Sequence, residues 1–237
     1  MASSFRFKQF SVLNEKSALK VGTDAVLLGA AMTLLPEDKR ALDIGTGTGI
    51  IALMAAQRAP QLQIEAIDID GPSAEEAAAN FANSPWPDRL HARHCALSEY
   101  AAPWEFDLIF SNPPYYDNSL RNPDMRLSAA RHSHSLALAE IFEFASAWLT
   151  EGGRLSLILP RESDISSRRV AASFGFRPIR SIQIRTVETK PPKRIIMEFN
   201  RHNCIENQET ITLMKDGERS PEYASLTSGF YLDSSQK

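Results

Sequence analysis

The chain has 237 residues, 43% hydrophobic and 23% charged, with 26 Lys and Arg against 29 Asp and Glu. That length can bury a core without staples, and a net charge of −3 excludes a uniformly polybasic nucleic-acid binder, so any basic surface must be local. No apolar signal core opens the chain and no run of about 18 apolar residues occurs, which predicts a cytoplasmic protein, neither secreted nor membrane-spanning. Cys95 and Cys204 fit no metal-ligand spacing with the five histidines and read as free thiols, so no metal is expected.

In chain order, SALKVGTDAVLLGAAM (Ser17–Met32) holds a helix that Thr23 and Asp24 are placed to cap. RALDIG (Arg40–Gly45) reads as a buried strand, GIIALMAAQRA (Gly49–Ala59) as a helix closed by Pro60, and LQIEAIDID (Leu62–Asp70) as a second strand. The Ala- and Glu-rich Pro72–Asn83 is helical, with Asp70 ahead of it as a cap for Ser73. RLHARHCAL is a weaker third strand and EFDLIFSN a clearer fourth. Asp117–Ser135 shows no periodicity and has the length of a functional loop.

Leu136–Leu149 is a strongly amphipathic helix, GGRLSLILP a fifth strand, and Ser163–Gly175 a helix with Ser163 as N-cap and Gly175 as stop. PIRSIQIRTV and KRIIMEFN read as two last strands joined by ETKPP, a hairpin that brings antiparallel pairing. From Ile205 the chain is polar and ambiguous. The alternation predicts an α/β fold: a mostly parallel seven-stranded sheet, helices on both faces and an antiparallel C-terminal hairpin. The expected organisation is a single domain, with residues 1–39 as a leading segment, 40–200 as the core and 201–237 as an extension.

LDIGTGTG joins the first strand to its helix, with Gly45, Gly47 and Gly49 spaced one residue tighter than the dinucleotide fingerprint. Asp43 stands two positions before the first glycine, where a carboxylate repels a pyrophosphate and suits a cationic ligand. D-x-G-x-G-x-G resembles the S-adenosyl-L-methionine loop of class I methyltransferases, whose ligand carries an ammonium and a sulfonium and no phosphate. The resemblance implies a Rossmann-like class I fold. It also implies that Asp68, at the tip of the second strand, accepts from the ribose hydroxyls, in preference to Asp70. Ile69 would cover the adenine. Ala96 and Leu97 would offer backbone contacts where an acidic residue is common in such enzymes. Lys20, Thr23 and Asp24 would close over the methionine end.

SNPPYY (Ser111–Tyr116) follows the fourth strand, and its two prolines stop any ladder. Ligands of a doubly wound sheet bind outside the carboxyl ends of the strands, so this segment and the glycine turn should share one cleft. A planar nitrogen with a delocalised lone pair must be oriented to attack. The Asn112 side-chain oxygen and the Pro113 carbonyl are two acceptors for its hydrogens, and Tyr115 is a stacking face. Asn112 would border the cofactor as well. N-P-P-Y resembles the motif of methyltransferases acting on adenine N6 or on the glutamine amide.

The resemblance extends through FRFKQFSV, LKVGTDAVLLGAA, LDIGTGTGIIALMAAQR, SNPPYY, ARHSHSLALAEIF, GGRLSLILP, KPPKRIIMEF and PEYASLTSGFYL. Together these resemble the bacterial tRNA methyltransferases that make N6-methyladenosine at position 37 of a valine tRNA. Gly229 replaces the acidic residue often found in that family before FYL. The resemblance implies a monomer acting on tRNA. Glutamine-directed enzymes carry a helical domain before the glycine turn, and the 42 residues that precede Asp43 here do not read as a helical bundle; those enzymes and rRNA adenine-N6 methyltransferases are the alternatives. Arg121, Arg126, Arg131 and His132 after N-P-P-Y, and Lys190, Lys193 and Arg194 near KPPKR, are local basic groups suited to tRNA phosphates.

Overall fold

The computed structural model describes residues 4–17, 20–114 and 138–232. A small antiparallel hairpin, β1 (Ser4–Arg6) and β2 (Ser11–Leu13), leads into α1 (Thr23–Ala31). The first half of the core is β3 (Arg40–Ile44), α2 (Ile50–Arg58), β4 (Gln63–Asp68), α3 (Gly71–Ala82), β5 (Leu90–His94) and β6 (Phe106–Ser111). The second half is α4 (Leu138–Trp148), β7 (Leu149–Pro160), α5 (Asp164–Ser173), β8 (Arg177–Arg185) and β9 (Arg194–Asn200). β10 (Asn207–Thr212), the short pair β11 (Met214–Lys215) and β12 (Glu218–Arg219), and α6 (Pro221–Thr227) are the last elements of the described residues.

The main sheet has the order β10-β8-β9-β7-β6-β3-β4-β5. β7, β6, β3, β4 and β5 run parallel, and β9 is antiparallel to both of its neighbours, as the hairpin reading predicts. The seven expected strands are present, and β10 adds an eighth, parallel to β8. It belongs to the polar stretch without an apolar run. An edge strand needs none, and most of the β10 side chains are exposed or half-buried.

Side chains alternate across the sheet with period two. Ala41, Ile64, Ala66, Leu108, Phe110 and Ile158 face α1, α2 and α3, while Leu42, Ile44, Ile67, Leu155, Leu157 and Met197 face α4 and α5. From Ile50 to Ala56, α2 is buried all round, as an α/β helix between sheet and neighbour must be. It packs on α1 so closely that a Cβ on Gly29 would meet the Met54 Sδ at 2.8 Å. Arg58, ending α2, donates to the carbonyls of Gly29 and Met32 at the end of α1. The two helices therefore run in the same direction, with both N-termini at the carboxyl edge of the sheet.

α1 starts at Thr23 with Gly22 as N-cap and no side-chain cap, which corrects the expectation that Thr23 and Asp24 cap it. Ser163 occupies the N-cap position of α5 without a capping hydrogen bond, because a 3-10 turn, Arg161–Ser163, already satisfies that entry. Asp70 caps α3 as expected, accepting from the Ser73 amide at 3.0 Å. At the C-terminus the Phe230 carbonyl accepts from the Lys8 amide at 2.8 Å, and Tyr231 stacks on Phe7. The tail thus closes on the N-terminal hairpin.

Candidate active site

β3 pairs with β4 on one side and β6 on the other, and the strand order turns back between β3 and β6. That is the switch point at which an open α/β sheet leaves a crevice outside its carboxyl ends. The glycine turn leaves β3 there, and Asn112–Pro114 leaves β6 there, with Ile44 and Ser111 in register. The Ser111 hydroxyl donates to the Ile44 carbonyl at 2.7 Å. Asn112 is half-buried and Pro113 buried; Tyr115, Arg121, Arg126, Arg131 and His132 lie outside the described residues, as does the Asp117–Ser135 loop.

Gly45, Gly47 and Gly49 have φ of 70°, 57° and 80°, a backbone that side-chain-bearing residues adopt at a cost. Gly49 also has a neighbour that leaves no room, and Gly47 one at ordinary contact distance. A Cβ on Gly49, the N-cap of α2, would lie 2.5 Å from the Phe81 ring, so this glycine serves the packing of α2 on α3. A Cβ on Gly47 would come 3.4 Å from the Ser17 hydroxyl of the N-terminal segment.

Two carboxylates flank the turn. Asp43 is fully buried, and Thr46 donates to its Oδ2 at 2.7 Å. Its Oδ1 is buried without a hydrogen bond. Burial pushes this carboxyl up to about 7, against the Thr46 hydroxyl; the Asp68 charge adds to the rise, and the Ala52 backbone amide on α2 opposes it. Asp68, half-buried, accepts from Gly47 N at 2.8 Å and from Asp70 N at 2.9 Å. Its carboxyl is also raised, mainly by burial, with those two amides pulling the other way.

These contacts decide what the turn suits. The Gly47 amide, which a phosphate-binding loop would aim at its ligand, is directed to Asp68 instead. With Asp43 and Asp68 beside it, the turn disfavours a phosphate and suits a ligand bearing positive charge. Such a ligand supplies what the orphan Asp43 oxygen lacks, so the residues fit S-adenosylmethionine.

The remaining expected residues fall around the same edge or engage one another. Ile69 is exposed at the tip of β4, and its carbonyl contacts the His94 ring at 3.1 Å. The Cys95 amide donates to the Asp68 carbonyl, which sets Ala96 and Leu97, at the start of a 3-10 turn, next to Asp68. The Lys20 ammonium donates to the carbonyls of Asn14 and Glu15, closing a turn of its own segment. Asp24 and Arg194, expected at cofactor and RNA respectively, hold each other at 2.7 Å. Lys190 and Lys193 are exposed on the turn between β8 and β9, at the same edge of the sheet as Pro160.

Sequence reasoning passed over Ser111, Glu76 and Asn80. Glu76 and Asn80 are 3% and 1% exposed on α3. The available signal was polar residues at i, i+3 and i+7 (Ser73, Glu76, Asn80) among the apolar positions of an alanine-rich helix. Among the described residues no group of three or more His, Cys, Asp or Glu could hold a metal ion, and no helix is long and apolar enough to cross a membrane.

A family described as "Methyltransferase small domain" matches residues 15–179. A tRNA1(Val) (adenine(37)-N6)-methyltransferase of Flavobacterium psychrophilum is 40% identical over 233 residues, 96% of this chain and 99% of that one. The protein of that name from Bacteroides thetaiotaomicron is 38% identical over 231 residues, 96% of this chain and 97% of its own. Among solved structures, a protein described as a predicted O-methyltransferase from Agrobacterium tumefaciens superposes with a TM-score of 0.68 at 19% identity, covering 87% of this chain and 96% of that chain, a likeness of fold. Identity at that level along nearly the whole of both chains is kinship rather than shared architecture: the chain belongs to the tRNA1(Val) (adenine(37)-N6)-methyltransferase family.

Proposed function

We propose that this enzyme transfers a methyl group from S-adenosylmethionine to N6 of adenosine 37 in tRNA1(Val). The observation that carries the reading is the register of Ser111 with Ile44, which sets Asn112 and Pro113 beside the glycine turn. The family relatives, named for this reaction, support the substrate.

When bound, the cofactor supplies an electrophilic methyl on a cationic sulfur, held on this reading by Asp43 at the ammonium, Asp68 at the ribose, Ile69 at the adenine, and the Ala96 and Leu97 backbone. The Asn112 oxygen and the Pro113 carbonyl accept the two N6 hydrogens and turn the nitrogen toward the methyl group. As the C–N bond forms and the methyl group parts from sulfur, which keeps the electron pair, positive charge passes to nitrogen, and the same two acceptors stabilise it. The extra proton leaves afterwards to solvent, so no side chain need act as base before attack. Proline at 113 and 114 fixes the backbone that presents these acceptors.

On this reading Tyr115 stacks the extruded base, and Arg121, Arg126, Arg131, His132, Lys190 and Lys193 meet tRNA phosphates. Arg194 is kept from a direct role by Asp24. The chain acts as a monomeric cytoplasmic enzyme of one methyltransferase domain: residues 1–39 lie over the cofactor, 40–200 carry the chemistry, and 201–237 brace the N-terminal hairpin. The test is methylation of unmodified tRNA1(Val) by the purified protein, with digestion and mass spectrometry of the nucleosides. N6-methyladenosine at position 37 is expected; a tRNA left unmethylated there overturns the reading.

A further inference from the structure

Residues 13–17, from the end of β2 onward, pass beside the glycine turn, and two buried side chains of α3 grip their backbone. The Glu76 carboxylate accepts from the amides of Glu15 at 2.6 Å, Lys16 at 2.8 Å and Ser17 at 2.8 Å. Three consecutive amides converging on one anion form a nest, here built around a side chain of the protein itself. On the other side of the segment, the Lys20 ammonium takes the carbonyls of Asn14 and Glu15. The turn has a fixed anion at its amides and a fixed cation at its carbonyls.

Asn80, one helical turn beyond Glu76, connects this strap to the ligand loop. Its Oδ1 accepts from Leu13 N at 2.7 Å, and its Nδ2 donates to Leu13 O at 3.1 Å and to Thr48 O at 2.8 Å. Thr48 lies between Gly47 and Gly49. The Ser73 hydroxyl, whose hydrogen goes to Asp70 at 2.6 Å, accepts from that of Ser17 at 3.3 Å, and Ser17 Oγ lies at contact distance, 3.4 Å, from where a Cβ on Gly47 would stand. A carboxylate buried at Glu76 is costly unless its lone pairs are filled, and what fills them is the strap.

We propose that Glu76 is a positioning residue for the methyl donor. It holds residues 13–17 against the glycine turn, so that Ser17 and the strap backbone form one wall of the cofactor site. This rests on the reading of the glycine turn as that site. Glu76 touches neither cofactor nor substrate; it acts through the strap.

The test measures binding of S-adenosylhomocysteine by calorimetry to the full chain and to Glu76→Gln, which keeps the shape but loses the charge and one acceptor. Glu76→Gln should raise Kd on the order of tenfold, as expected for loss of charge-assisted hydrogen bonds, while KM for tRNA stays within twofold. In the wild-type protein, S-adenosylhomocysteine should slow amide hydrogen exchange across residues 11–17, a readout that needs no variant to fold. A Glu76→Gln variant that loses thermal stability but binds within twofold of wild type makes Glu76 a mere anchor and overturns the proposal, as does strap exchange indifferent to the ligand. A wild-type protein that fails to bind S-adenosylhomocysteine sinks the functional reading and this inference together; normal wild-type binding with an unchanged variant sinks the inference alone.

Discussion

The Ser111 hydroxyl donates to the Ile44 carbonyl at 2.7 Å, between the last residues of two parallel strands. Ile44 is followed by the first glycine of the turn, and Ser111 by Asn112. One buried bond therefore couples the end of the strand that would hold the methyl donor to the end of the strand that would hold the acceptor. Ser111→Ala removes it and leaves the Ile44 carbonyl short of a donor. The expected loss is about 1 kcal/mol of stability, read by denaturant unfolding. The spacing of the two ends should loosen too, lowering kcat several-fold with KM for either substrate little changed. A variant that loses stability and keeps full kcat would assign the bond to folding alone.

Asn112→Ala tests the acceptor pair itself. If the side-chain oxygen stabilises charge that appears only as the methyl group transfers, its loss falls on kcat, by about 10²–10³. The Kd for S-adenosylhomocysteine should move by no more than about threefold, since the carboxylates proposed to meet the cofactor's charge, Asp43 and Asp68, lie on β3 and β4. Single-turnover rates and calorimetry separate the two quantities. Comparable losses in both would make Asn112 a structural support of the site.

The glycine turn, the β6 terminus and the Asp70 cap were legible in the sequence because each is local: a strand, a turn residue and a helix start within a few positions. What was not legible depends on distant pairs. Asp24 and Arg194 meet only after the sheet brings the β8–β9 turn to the start of α1, so each looked like a group available to a ligand. Gly49 reads from sequence as part of a ligand loop, and the fold adds a second demand, the Phe81 ring. Glu76 and Asn80 stand among the apolar positions of an Ala-rich helix, but what they hold emerges only when the N-terminal strap is laid across them. β10 was hidden because an edge strand needs little apolar surface, here Ile211 alone against the core.

Asp43 gives the site a pH dependence whose sign follows from its burial. Unfolded, it ionises near 3.8; folded, it keeps its proton up to about 7. Its contribution to stability is complete below about 3.8 and is lost as pH rises through 7, because ionising a buried carboxylate costs free energy. A cationic ligand against the orphan oxygen offsets that cost. Binding of S-adenosylhomocysteine, which retains the ammonium, should therefore tighten as pH rises from about 5.5 toward 8, with proton release on the acid side visible in calorimetry as a buffer-dependent heat. Asp43→Asn should bind weakly and nearly independently of pH over that range. An unchanged pH slope in Asp43→Asn would assign the titration to another group, Asp68 being the nearest alternative, also raised by burial.

Lys190 and Lys193 are exposed on the β8–β9 turn, and the backbone there is well fixed: Lys190 N donates to the Val187 carbonyl, Lys193 N to that of Ile184, and the Lys193 carbonyl accepts from Arg161 N at the end of β7. Two ammonium groups on a braced turn at the carboxyl edge of the sheet are placed to meet a polyanion approaching the cleft. Each phosphate contact releases condensed counterions, so KM for tRNA should rise steeply with salt. Lys190→Ala and Lys193→Ala should each raise that KM at low salt and reduce the slope of log KM against log salt by roughly 0.7–0.9, the share of one phosphate contact. The Kd for S-adenosylhomocysteine should be unaffected, because both side chains lie away from the β3 and β4 ends. Arg194→Ala is the contrasting case: its guanidinium is held by Asp24, so it should alter the salt slope little and act instead by loosening the turn from α1, at a cost within about 1 kcal/mol for a partly exposed pair. A slope unchanged in both lysine variants would place the tRNA phosphates elsewhere on the chain.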